Sequence, residues 1–403
     1  MELFWLEHKK LWRKKIVKIC VLLCFVYCVI FGSILSFQWF SFGSSDDYTS
    51  AFGNNFDGYT VIKDSQEYAL SFGGELTDET LQQIVSDYQQ MEADGMEKEL
   101  EKTDWQIVNS WLGTLYPELR DTSNYKTMIS YVDPDKLTGF YERRQQVLDE
   151  FLEVSGQVGA EKEYLHQIER KVEKPFHYEW VEGWSTLLGS MVADLGVVMA
   201  LFLGIVLSSL FAGEWHDNTS TLVLTTRNGW GKIALAKILT GFAFTVELFA
   251  LLAVSSVISQ LFFMGTAGWD MPIQNIKLIA VAPMNMLQAE IYEYAFVLLG
   301  AIGFAGIVMF ISAAVKNNVL TLLLSLAVVY GPMMIAEYLP YEMQKALDLI
   351  PLVGSSTDIF RTNTFRIFGK LIWSPYLLIT IPVLIGILCM PFAIKSWSRR
   401  MKA

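Results

Sequence analysis

The chain has 403 residues, 52% of them hydrophobic, with a mean hydropathy of +0.33, yet it carries a formal charge of −11. Such a chain offers no overall basic footprint for nucleic acid, and its apolar and acidic residues must be segregated along the sequence. They are: residues 41–185 hold 29 Asp and Glu against 12 Lys and Arg, a net of −17, which leaves 13 acids, 19 bases and a net of +6 for the remainder. An acidic soluble domain, 41–185, is expected to be inserted into a membrane body made of residues 1–40 and 186–403.

Residues 2–15, ELFWLEHKKLWRKK, set Leu3, Phe4, Leu6, Leu11 and Trp12 among Lys and Arg. That pattern suits either a short amphipathic helix in the headgroup region or a plain basic anchor. Six segments reach the roughly 20 apolar residues that a bilayer-spanning helix needs. They are Ile16 to Phe40, Thr186 to Phe211, Ile238 to Met264, Tyr294 to Val315, Val319 to Ala336 and Ile372 to Ile394. The first is longer than the apolar region of a signal peptide and lacks a small-x-small exit, so it is expected to be retained. Its Cys20, Cys24 and Cys28 lie at i, i+4 and i+8 among Leu22, Leu23, Phe25 and Val26, the setting of small buried hydrophobes.

Short loops keep their Lys and Arg on the cytoplasmic side. With both termini inside, the inner segments carry fourteen bases and the two short outer loops carry five. The expected fold class is an all-α polytopic membrane protein with six transmembrane helices, both termini cytoplasmic, and a large, mostly helical extracytoplasmic domain between the first two helices. The expected location is the plasma membrane, as a multi-pass protein.

In the acidic domain, the stretch from Phe42 to Thr60 reads as loop or short strands. The run opening at Thr77 then sets Leu81, Ile84, Tyr88 and Met91 at helical spacing. A second run, Tyr141 to Lys174, sets Val147, Phe151, Val154, Val158, Tyr164 and Ile168 on one expected face before Pro175 stops it. A helical hairpin or small bundle is expected, with Trp105 to Tyr131 packed across it. The domain has no cysteine, and His166 and His177 form no HExxH element, so no metal or catalytic constellation is read here. The acids form a solvated surface or a field that attracts cationic peptides.

Between the second and third spans lies a polar elbow, residues 212–237, opened by Phe211 and reading AGEWHDNTSTLVLTTRNGWGKIALAK. Glu214-Trp215-His216-Asp217-Asn218-Thr219, followed by Leu222-Val223-Leu224 and by Lys232 to Lys237, resembles the permease subunit of ABC-2 type exporters. That family carries a Glu-aromatic-x-x-Gly-Thr element after its second membrane helix, then an apolar triplet and a helix restart ending in Ala-Lys. Glu214, Trp215, Thr219 and Lys237 match, while Asn218 stands for the usual Gly and retains access to a left-handed turn. Arg227-Asn228-Gly229 replaces a Pro-containing turn, and Glu7 to Trp12 is similar to the family's basic elbow helix. The resemblance implies that Glu214, Trp215, His216, Asn218, Thr219 and Arg227 contact a cytoplasmic ABC ATPase, that two permease halves assemble, and that an amphipathic or peptide-like substrate is exported. It implies ATP and Mg bound by the partner and no cofactor in this chain. The sequence has no GxxxxGK[ST], and Gly229-Trp230-Gly231-Lys232 lacks the spacing to cradle a phosphate.

Two intramembrane acids, Asp194 and Glu247, are costly in lipid and either line a translocation path or serve helix packing. The loop 337–371 is broken by Pro340 and Pro351 and is expected to form short interfacial helices. Two other functions fit the same features: a sensor or immunity protein capturing a ligand through its outer domain, and an ion-coupled transporter using Asp194 and Glu247.

Overall fold

A computed structural model describes residues 2–41, 66–67, 73–95, 105–121, 123, 126–216, 231–315, 317–354 and 362–399. The chain opens with α1 (Glu2–Arg13) and, one residue later, α2 (Lys15–Ser41). The first predicted span is thus one continuous helix, its side chains described as far as Ile30. Cys20, Cys24 and Cys28 are buried along its inner face, as their spacing predicts.

The large domain follows. It contains β1 (Gly74–Leu76), α3 (Asp78–Ala93), α4 (Trp105–Leu115), α5 (Phe140–Val154), α6 (Ala160–Glu169) and β2 (Phe176–Tyr178). Thr77 starts α3 by accepting the Thr80 amide at 3.2 Å, a side-chain N-cap. β1 pairs antiparallel with β2, placing Glu75 opposite His177. Two expectations are corrected here. The run from Tyr141 to Lys174 is not continuous but is interrupted between Val154 and Ala160. The buried face of α5 is Phe140, Arg144, Leu148 and Leu152, while Phe151, Val154 and Val158 are exposed. Adjacent rows on this helix are both apolar, and the packing partners select between them. The predicted loop or strand stretch at 42–60 lies outside the described residues.

After α7 (Glu182–Thr186) and a wide turn over 187–191 come α8 (Val192–His216), α9 (Lys232–Met264), α10 (Met286–Ala314) and α11 (Asn318–Ile335). Then follow α12 (Tyr341–Leu347), the hairpin β3 (Thr364–Ile367) and β4 (Lys370–Trp373), and α13 (Ser374–Arg399). Among the described residues, five helices are long and apolar enough to cross a membrane: α8, α9, α10, α11 with its following turn, and α13. That set is compatible with an all-α polytopic membrane protein. At 1.5 Å per residue, α9 with its 33 residues is about 50 Å long, more than the roughly 30 Å hydrocarbon thickness.

Helix α10 starts eight residues before the expected Tyr294. Asn285 caps it through a reciprocal bond with Gln288, and its polar first turns fall below any hydropathy threshold. Among its described residues, the loop 337–371 holds a short helix as expected, and also a hairpin, which is not expected. Phe368 and Gly369 both take positive φ, 49° and 79°, the two-residue turn geometry that matches strand twist. Helices α10 and α13 touch backbone to backbone: a Cβ on Gly306 would lie 2.5 Å from the Gly386 carbonyl oxygen, and one on Gly303 would collide with the Pro382 carbonyl.

Two apolar cores result. One joins α1, α2 and the long helices. The other fills the large domain and takes in Met271, Ile273, Leu278 and Ala280 from the α9–α10 connection, together with Trp373. Arg144 fastens that connection to the domain. Its Nε donates to Leu278 O at 2.7 Å, one terminal nitrogen to Ala280 O at 3.2 Å, and the other to Glu169 Oε1 at 2.6 Å. Lys174 also reaches Glu169, at 3.0 Å. Burial lowers the Arg144 pKa against the support of Glu169. Burial works to raise that of Glu169, but the bonds from Arg144 and Lys174 together hold it below the usual carboxylate range. Trp111 Nε1 to Asn275 O (2.8 Å), Trp180 Nε1 to Met264 O (3.1 Å) and Trp184 Nε1 to Thr266 O (3.2 Å) extend the clamp.

Candidate functional site

The elbow is anchored at both ends by charge. Glu7 and Lys10 of α1 and Lys14 just beyond it are spaced three and four residues apart, which puts them along one side. They face the last turns of α8 and the second turn of α9. Lys237, 1% exposed, donates to Glu214 Oε1 at 2.9 Å and to Glu7 Oε2 at 2.8 Å. Lys10 reaches the same Glu214 oxygen at 2.5 Å, and Lys14 donates to Ser209 Oγ at 2.9 Å. A cavity of about 30 Å³ sits among these groups, enough for one water. Two acids and three lysines drawn from α1, the α1–α2 junction, α8 and α9 thus form one buried joint.

Each predicted site residue has a definite place or lies outside the described residues. Glu214, expected at a partner contact, is 4% exposed and turned onto the two lysines. Trp215 stacks edge-on against Trp397 of α13, ring centroids 6.1 Å apart, and Phe211 packs on the same indole. His216 is exposed at the end of α8. Asn218, Thr219 and Arg227 lie outside the described residues.

The expected path acids are not brought together. Asp194, exposed in the first turn of α8, interacts with the Tyr27 hydroxyl of α2. Glu247, with 43% of its side chain exposed, faces α1: His8 Nε2 lies 3.1 Å from Oε1, and Trp12 Nε1 donates to Oε2 at 3.0 Å. Trp12 also packs on Phe244, one turn earlier on α9.

Three polar positions were missed. Ser312 of α10 accepts the amides of Phe211 and Ala212, each at 3.1 Å, and donates to Ser208 O at 2.7 Å, tying α10 to α8 just before Glu214. Glu290 and Glu293, in the first turns of α10, are 4% and 0% exposed. They lie beside Tyr294, whose hydroxyl bonds Ser256 of α9 at 2.7 Å. The Glu-x-x-Glu spacing was visible in sequence, but the expected span started after it. Among the described residues, no three His, Cys, Asp or Glu side chains converge as a metal site.

A larger cavity, about 340 Å³, lies where the large domain meets the α9–α10 connection. No family model, curated protein or solved structure matches the chain. The ABC-2 resemblance therefore stands on the elbow residues and the order of apolar segments.

Proposed function

We propose that this chain is the membrane subunit of an ATP-binding-cassette exporter of the ABC-2 type, driven by a separate cytoplasmic ATPase. In this reading α2 is a sixth span. The termini and the 212–237 elbow face the cytoplasm of a bacterial plasma membrane, of Gram-positive type, and the acidic domain stands outside. The observation that carries the proposal is the buried joint at both ends of the elbow. Glu214 lies near the start of the elbow, Lys237 is its last residue, and both are held by α1, so a push on the elbow moves α1, α8 and α9 as one body. Trp215 against Trp397 adds α13 to that body. The catalytic phosphate chemistry, with ATP and Mg, belongs to the partner. The pathway forms against a second copy or a similar permease, and the cargo is amphipathic or peptide-like.

Co-purification of the chain with the products of its neighbouring genes tests the reading. The wild type is expected to bring down an ATPase. Glu214→Ala is expected to lower substrate-coupled ATP hydrolysis. An absent ATPase, or unchanged association and coupling in Glu214→Ala, removes the exporter reading. A second reading, a membrane sensor that captures a ligand through its large domain, is favoured by the clamp that ties the domain to the α9–α10 connection.

A further inference from the structure

A groove of about 820 Å³ runs between α1 and the first turns of α9. Lys232, Leu235, Ala236, Leu239 and Ala243 fall at i, i+3, i+4, i+7 and i+11, which is one face of α9, and Leu3 and Phe4 of α1 form the facing wall. Alanine at 236 and 243 keeps the floor low between bulkier neighbours. Contacts outside the groove set its walls. Lys237 donates to Glu7 at 2.8 Å, Trp12 Nε1 donates to Glu247 at 3.0 Å, and Phe4 stacks on His8 with ring centroids 5.5 Å apart. The groove therefore exists before anything enters it.

Its length and its charges match one kind of occupant. From Lys232 to Ala243, at 1.5 Å per residue, is about 16 Å, close to the roughly 15 Å of hydrocarbon in one leaflet of a bilayer. Leu235 and Leu239 leave 48% and 47% of their surface open, an apolar track that an acyl chain covers. The two charged lining residues, Glu2 at the start of α1 and Lys232 at the start of α9, are exposed and of opposite sign. The helices run the same way here, Glu7 meeting Lys237 and Trp12 meeting Glu247, so both charges stand at the same end of the track. Among the described residues they form no ion pair with each other or with any third group. A phosphate answers Lys232 and an ammonium answers Glu2. A phospholipid with a primary amine in its headgroup carries both, joined to an acyl chain.

We propose that this groove holds one such aminophospholipid, with its phosphate at Lys232, its ammonium at Glu2 and one acyl chain laid along Leu235, Leu239 and Ala243 against Phe4. An anionic headgroup without an amine meets Lys232 but is repelled by Glu2, and a trimethylated amine has no N–H to give the carboxylate. The proposal rests on α9 crossing the bilayer and not on the exporter reading, because lipid retention is measured without an ATPase.

The test is native mass spectrometry of the full chain, delipidated in detergent and titrated with phosphatidylethanolamine, phosphatidylglycerol or phosphatidylcholine of the same acyl chains. One phosphatidylethanolamine per chain is expected, bound about fivefold or more tighter than either of the others. The paired changes Glu2→Gln and Lys232→Gln, both at exposed positions, are expected to remove that preference with thermal unfolding unchanged. Ala243→Phe, which fills the track, is expected to weaken all three lipids. Equal retention of the three headgroups, no single tightly held lipid, or a wild-type preference in the Glu2→Gln, Lys232→Gln variant overturns the proposal. A dimer that Ala243→Phe dissolves also overturns it and gives the groove to a second copy of the chain.

Discussion

Two ionic fastenings among the described residues, the Arg144 clamp and the Lys237 joint, are built on opposite plans. The Arg144 clamp in the large domain spends its guanidinium on two backbone carbonyls and one carboxylate, and both Arg144 and Glu169 are nearly inaccessible. The Lys237 joint uses side chains only. Two lysines compete for one oxygen of Glu214, and Lys10 keeps 53% of its side chain exposed. Backbone acceptors cannot leave without unfolding their loop, whereas a lysine at the edge can trade one acid for another or for water. The clamp therefore fixes a loop through its backbone, and the joint fixes three helices to one another through side chains alone.

The largest expected effect comes from breaking the clamp. Arg144→Leu strands two loop carbonyls and leaves Glu169 with Lys174 alone, and removing one partner of a buried pair costs on the order of 3–5 kcal/mol. Thermal unfolding of the large domain, followed by tryptophan fluorescence, should fall accordingly. At the joint, Lys237→Met leaves Lys10 on Glu214, so a smaller loss of roughly 1–3 kcal/mol is expected. Faster proteolysis within α1 would report it. A loss as large as that of Arg144→Leu would show that the joint is as rigid as the clamp.

Acid separates the two further. The carboxyl of Glu169 titrates below its unfolded value, so its contribution is present at neutral pH and fades as pH falls through its folded pKa, below the usual carboxylate range. An acid melt in which the large domain opens only below that region would confirm the assignment. Opening well above it would contradict it. The smallest effect is expected at Arg366, whose 2.5 Å bond to Glu161 joins the hairpin to α6 at the surface. Arg366→Ala should leave the thermal melt essentially unchanged, because exposed pairs contribute little.

Sequence reading recovered what depends on short-range pattern. The long helices follow from length and hydropathy, α3 from Thr77 and its spacing, and the buried cysteine row from the i, i+4, i+8 rule. It failed where a partner distant in the chain decides. Arg144 looks like a surface residue until Leu278 and Ala280 present their carbonyls, and backbone acceptors leave no trace in composition. On α5 the choice between the Phe151 row and the Leu148 row belonged to the surrounding core. Glu290 and Glu293 dropped out because a hydropathy window treats an acid as the end of a span. Within the elbow, Glu214 is expected to face a partner, whereas it is buried against lysines that lie 23 and 204 residues away.

The distribution of thiols gives the chain a built-in reporter of helix separation. Cys20, Cys24 and Cys28 are buried, and only Cys389 is partly accessible. It follows Gly386 by three residues on α13, the helix in backbone contact with α10. Cys389 lies midway along an apolar span, so a water-soluble maleimide should leave the folded protein unlabelled, and any reaction would report that this helix pair has parted, without any engineered cysteine.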